Sequence, residues 1–260
     1  MREHQRVSLS ALDAVFVAGA GVAAGAMNAV VGAGSVLTFP TLVAVGIPPL
    51  SANVSNTLGV APGNLVAAWA YRDRIRPYGA TAVRLCACAV VGALIGAVLL
   101  LAFPASVFEV VVPVLLVLAA LLTALQPRVV TWLALRPVRR RRPDTGSVLL
   151  GAVLVTSVYG GYFGAAQGVI LLSVIGVLLR ANLQDANALK NLQATFANGA
   201  AAALFAATAP VNWAAAALVG VGSTVGAVFG SRFAQRIPDR GLRIFVIVFA
   251  LAAVVWFVLR

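Results

Sequence analysis

The sequence predicts an all-α, polytopic membrane protein: two inverted-topology repeats, each a broken-helix hairpin followed by three spans. Three observations predict this. Of 260 residues, 62% are apolar and 10% charged, against about 45–50% and ~25% in water-soluble domains, so the polar surface a soluble fold needs is missing. Uncharged runs of about 20 residues, the helical length that crosses ~30 Å of hydrocarbon, recur along the chain. The chain also matches itself at one constant offset of 134 positions (168 − 34), pairing Gly34 with Gly168, Asn53 with Asn187, Leu58 with Leu192, Asn64 with Asn198, Gly92 with Gly226, Gly96 with Gly230 and Pro104 with Pro238. Asn, Gly and Pro coincidences at a single offset indicate a duplication.

The long apolar runs are 14–31, 51–71, 79–103 and 107–125, then 147–163, 186–209, 213–232 and 243–259. Two more, 35–47 and 168–179, are only 13 and 12 residues long, which suits half-spanning or tilted helices. The expected organisation is an N-terminal tail (1–11), a first membrane repeat (12–126), a basic cytoplasmic linker (127–146) and a second membrane repeat (147–260). No small-residue cleavage site follows a short apolar segment at the start, so the first span is expected to be retained.

The net charge of +12 would suggest nucleic acid in a soluble protein. Here the 19 basic residues sit in short gaps between apolar runs, which is how membrane orientation is written. The expected partners are therefore membrane lipid and a small anionic substrate, and no nucleic acid; the oligomeric state is not legible. Clusters at Arg72, Arg74 and Arg76, at Arg128, Arg136 and 139–142, at Arg180 with Lys190, and at Arg232, Arg236, Arg240 and Arg243 should face the cytoplasm. Counting spans between them puts both termini outside and sets the two repeats antiparallel. That is the architecture of many secondary transporters, whose sites lie where the copies meet near the bilayer midplane.

Seven acidic residues and one His leave little for acid–base or metal chemistry, so neither an enzyme nor a cofactor is expected. Cys86 and Cys88, two apart on a helix, point to different faces. No Gly-x-x-x-x-Gly-Lys-Ser/Thr motif supplies nucleotide energy, and Asp13, Glu109 and Asp185 all lie near span ends rather than deep within them.

Two interruptions carry the candidate site. The first runs from Asn28 through Gly32 and Gly34 to Ser35, the second from Tyr162 through Gly164 to Gln167 and Gly168. Glycine lets the backbone turn, and the short helix that follows presents free N–H groups and a positive dipole end, which favours an anion. Close helix packing is the structural alternative. A polar lining is expected from Asn53, Ser55, Asn56 and Thr57 in the first copy and from Asn187, Lys190 and Asn191 in the second. Asn64, Gln193, Thr195 and Asn198 extend it. Interhelical hydrogen bonding is the other role open to these side chains. Lys190, the only lysine, can snorkel to the cytoplasmic interface or reach inward to an anion, and Arg84 poses the same choice. Gly92 with Gly96, and Gly226 with Gly230, read as helix-contact faces. Pro40 and Pro62 should kink or break their helices.

The glycine-rich first interruption, Phe39-Pro40, and the stretch from Gly46 through Ile-Pro-Pro-Leu-Ser-Ala-Asn-Val-Ser-Asn to Thr57 resemble the TauE/SafE family of sulfite exporters and related permeases, over essentially the whole chain. The resemblance implies a multi-pass transporter of the bacterial cell (inner) membrane that moves small sulfur-containing or organic anions. It singles out Gly32, Gly34, Ser35, Asn53, Asn56 and Thr57. The second copy departs from the family pattern, with fewer glycines, Val174 in place of a proline, and Lys190-Asn191 where small hydroxyl residues are common. The expected activity is alternating-access transport of a sulfite-, thiosulfate- or sulfonate-class anion. A passive anion channel, or a membrane-embedded enzyme or assembly subunit, are the alternatives.

Overall fold

A computed structural model describes residues 9–30, 32–135 and 146–233. The expected span 243–259, the basic run 139–142, and Arg136, Arg236, Arg240 and Arg243 lie outside the described residues. Within them the chain is helical, with no strand. In order these are α1 (Ala11–Val30), α2 (Ser35–Ala44), α3 (Pro49–Ala70), α4 (Arg72–Ile75), a 3-10 turn (Arg76–Tyr78), α5 (Gly79–Ala102), α6 (Ala105–Leu135), α7 (Ser147–Tyr162), α8 (Gln167–Leu178), α9 (Leu183–Thr208) and α10 (Trp213–Phe233).

Local chemistry sets the starts. Ser10 Oγ accepts the Asp13 N–H at 3.2 Å while Asp13 Oδ2 accepts the Ser10 N–H at 3.0 Å, a reciprocal cap that opens α1. Asn182 Oδ1 accepts the Asp185 N–H at 2.8 Å and opens α9. Pro49 starts α3, where its missing N–H would have no intrahelical partner anyway.

The helix boundaries follow the offset read from the sequence. α3 and α9 begin 134 residues apart (183 − 49), as do α5 and α10 (213 − 79). Packing follows too: α1 lies against α10 as α7 lies against α5, and α3 meets α10 as α9 meets α5. α3 and α9 pack together at the centre, and they run antiparallel. Beyond the end of α3, Arg74 pairs at 3.3 Å with Asp185 at the start of α9. Near the start of α3, Ser55 Oγ accepts the Asn212 N–H at 2.8 Å, just past the end of α9.

Among the described residues, four stretches are long and apolar enough to cross a membrane: Ala11–Val30, Arg72–Ala102, Ala105–Leu133 and Trp213–Arg232. α3 and α9, at 22 and 26 residues, are long enough but carry the polar side chains, which their central position shields from lipid. α6 overruns its expected end at 125 and continues to Leu135, so the first part of the expected linker 127–146 is helical. Arg128 ends the apolar run, yet a charge ends hydrophobicity rather than helix, because a long basic side chain can bend toward water. Pro40 and Pro62 likewise leave α2 and α3 unbroken.

The small-residue faces are where helices touch. A Cβ on Gly226 would lie 1.9 Å from Val22 O of α1, one on Gly161 1.9 Å from Ala93 O of α5, and one on Gly92 2.4 Å from Leu154 O of α7. Backbone meets backbone at these crossings, so nothing flexible can yield. Gly226→Leu and Gly161→Leu are each expected to destabilise the bundle by about 1–3 kcal/mol, read as a fall of several degrees in melting temperature. Gly151→Ala, where an added Cβ meets nothing within 4 Å, should hold or raise that temperature. Unchanged melting of both Leu variants would contradict this packing.

Candidate functional site

Both expected interruptions are breaks between helices, and they meet. α1 stops before Gly32, whose φ of +85° turns the chain, and α7 stops before Gly164, with φ of +76°. These are left-handed conformations that glycine adopts without a steric penalty. Ala166, at φ +60°, precedes α8. The Gly168 N–H donates to Gly32 O at 3.1 Å, and a Cβ on either glycine would come within 2.4 Å of the other's Cα. The first turns of α2 and α8 thus open on one shared space.

A helix that ends inside the bilayer leaves carbonyls that water cannot reach, and each must find a donor. Asn187 Nδ2 and Asn191 Nδ2 donate to Ala29 O at 3.1 and 3.2 Å, and Lys190 Nζ donates to Asn28 O at 2.9 Å. An ammonium at a helix C-terminus also meets the negative end of its dipole. At the other break Asn53 Nδ2 donates to Tyr162 O at 2.9 Å, and Tyr159 donates its hydroxyl to Ala165 O at 2.6 Å. Phe39 of α2 packs edge-on against Phe108 of α6 and Phe163 around this second break, with Phe39 and Phe163 centroids 5.1 Å apart, and Phe108 and Phe163 are tilted to each other.

The space between the breaks is a cavity of about 20 Å³, room for one water-sized group. Asn28, Gly32 and Ser35 line it from the first break, and Gly164, Gln167 and Gly168 from the second. Asn64 of α3 and Lys190, Ala194 and Asn198 of α9 close it. Lys190, Ala194 and Asn198 are four apart and form one stripe of α9. Lys190 is 1% exposed, and Asn64 and Gln167 are 3% exposed. Asn64 Nδ2 and Gln167 Nε2 have no hydrogen-bond partner. Among the described residues no carboxylate lines the cavity, and Lys190 is the one charged side chain in its walls.

Of the residues singled out from the sequence, Gly32, Ser35, Gln167, Gly168 and Lys190 line this cavity. Gly34 lies just behind them, its N–H held by Asn28 Oδ1 at 2.7 Å. Asn53, Asn187 and Asn191 hold the broken helix ends. Asn56 accepts a hydrogen bond from the Thr38 hydroxyl of α2, and the Thr57 hydroxyl donates to Asn53 O at 3.0 Å. Lys190 turns inward rather than snorkelling, whereas Arg84 is exposed. Asn64 and Asn198, expected as an extension of the polar lining, and Asn28 and Gly164, which the sequence places in the interruptions, line it too, whereas Ala194 was not singled out. The signals were present: Asn64 and Asn198 are a matched pair at the repeat offset, and Asn28 opens the first interruption.

Residues 17–257 match the family described as "Sulfite exporter TauE/SafE". The probable membrane transporter protein YfcA of Escherichia coli K12 is 30% identical over 210 residues, covering 80% of this chain and 76% of the relative. The probable membrane transporter protein ORF9 of a Sinorhizobium species is 27% identical over 213 residues, covering 82% and 79%. A probable membrane transporter protein of Haemophilus influenzae is 27% identical over 216 residues, covering 82% and 81%. No solved structure matches the chain. Touching broken helices around a donor-lined cavity, and a family match spanning nearly the full length, lead to one conclusion: this multi-pass membrane protein belongs to the TauE/SafE sulfite exporter family.

Proposed function

We propose that this membrane transporter carries a small anion of the sulfite, thiosulfate or sulfonate class, binding it between the two broken helices and exposing it alternately to either side. One observation carries the reading. The cavity is lined by the buried Lys190, by Asn64 and Gln167, whose amide nitrogens have no partner among the described residues, and by the first residues of α2 and α8, and no carboxylate of the described residues lines it. Each of these groups donates hydrogen bonds, and together they favour negative charge.

The inverted arrangement supplies the movement. α3 and α9 run antiparallel through the centre, so a rocking motion that opens one end closes the other. The halves are fastened differently at the two ends. At one, Asp185 takes hydrogen bonds from Arg74, Tyr78 and Asn182; at the other, Ser55 takes one from Asn212. The cavity has room for about one water-sized group, so no open anion-sized pore runs through it. That favours a carrier over an open channel.

Purified protein in liposomes is expected to take up labelled sulfite or thiosulfate saturably, faster when unlabelled anion is loaded inside. Absence of flux for every sulfur oxyanion, or an unsaturable current without trans-stimulation, contradicts the reading. Gln167→Met and Asn64→Leu each remove one unpartnered donor and should reduce flux by about 10- to 100-fold, the worth of a hydrogen bond to a charged group, at normal membrane levels. Wild-type flux in both would place the anion elsewhere.

A further inference from the structure

Asn28 spends both its oxygens on the donors an anion would want. Its main-chain oxygen accepts from Lys190 Nζ at 2.9 Å, and its Oδ1 accepts from the Gly34 N–H, at the start of α2, at 2.7 Å. Asn28 itself lines the cavity, as do Lys190 and the first residue of α2, Ser35. Asn64 and Gln167 line the same cavity, and their Nδ2 and Nε2 are buried with no acceptor among the described residues. The donor set is thus half engaged by one residue and half open.

We infer that the Asn28 side chain is a built-in stand-in for the anion: its neutral Oδ1 holds the α2 amide while the site is empty and gives it up when the anion enters, while Lys190 keeps one N–H on the Asn28 carbonyl and turns the others to the anion. The inference rests on the anion reading above and names the residue that sets the site's preference for charge. The physical argument is an exchange. A buried ammonium left without an acceptor is strongly disfavoured, so an empty site without carboxylates needs a local oxygen to hold it. A side-chain amide oxygen is a weaker acceptor than an oxyanion, so the incoming anion wins the α2 amide. A carboxylate in the same place would not yield. The side chain at this position must therefore be polar enough to hold the α2 amide and neutral enough to lose it.

The Asn28→Asp and Asn28→Ala variants of the full chain separate this role from simple helix capping. Sulfite and thiosulfate binding is measured by titration calorimetry in detergent, and melting temperature with and without anion. Asn28→Asp, which is isosteric, is expected to bind at least tenfold more weakly, to melt higher than wild type without ligand, and to gain little from added anion. Asn28→Ala frees the Gly34 N–H, so it should melt lower without ligand yet bind at least as tightly as wild type. The inference is overturned if Asn28→Asp binds like wild type, or if Asn28→Ala loses affinity as Asn28→Asp does. The Asp arm decides alone should the Ala variant not fold. Wild-type protein that binds neither anion overturns the anion reading itself, a result distinct from any difference among the variants.

Discussion

A peptide group in hydrocarbon must be hydrogen-bonded within the protein, and two helices of this chain stop where no water can serve them. Every unusual feature of the centre answers that constraint. The carbonyls at the end of α1 are met by Asn187, Lys190 and Asn191 from α9. The end of α7 is met by Asn53 from α3. In each case the donor comes from the other half of the chain, so each half completes the broken helix of its counterpart. Neither break would be tolerable alone.

The two halves answer the same constraint with different chemistry. Asn53 and Asn187 occupy matching positions and do matching work. Around them the symmetry lapses, since the α1 break has a lysine and a second asparagine where the α7 break has a tyrosine hydroxyl and a cluster of aromatic rings. One side of the centre is consequently basic and hydrogen-bonding, the other apolar and stiff. The matched helices supply the frame, and the differences between the two halves supply the chemical character of the cavity.

The helical frame was largely legible in the sequence. Uncharged runs, glycine pairs and a constant offset of 134 are one-dimensional signals, and they gave the helices to within a few residues except at α6. There Arg128 interrupts hydropathy without interrupting the backbone. The breaks at Gly32 and Gly164 were legible because a left-handed turn favours glycine, whereas Ala166, which is also left-handed, gave no such signal. The division of labour among the asparagines was not, because an Asn facing a cavity and an Asn tied to a distant carbonyl look alike in sequence. Asn53 and Asn64 lie on one helix, yet one holds the end of α7 and the other opens on the cavity. Nor could composition show which way Lys190 would point: its stem passes beside Gly32, where a Cβ would stand 3.3 Å from Lys190 Cδ.

The main-chain bond between Gly168 and Gly32 belongs to neither half and contains no side chain. Substitution elsewhere can reshape the walls around it, recolour their charge or alter what they admit, but cannot readily tune a link made only of peptide. Relatives that diverge in cargo would be expected to drift in the flanking asparagines and lysine while the pair of glycines stands still.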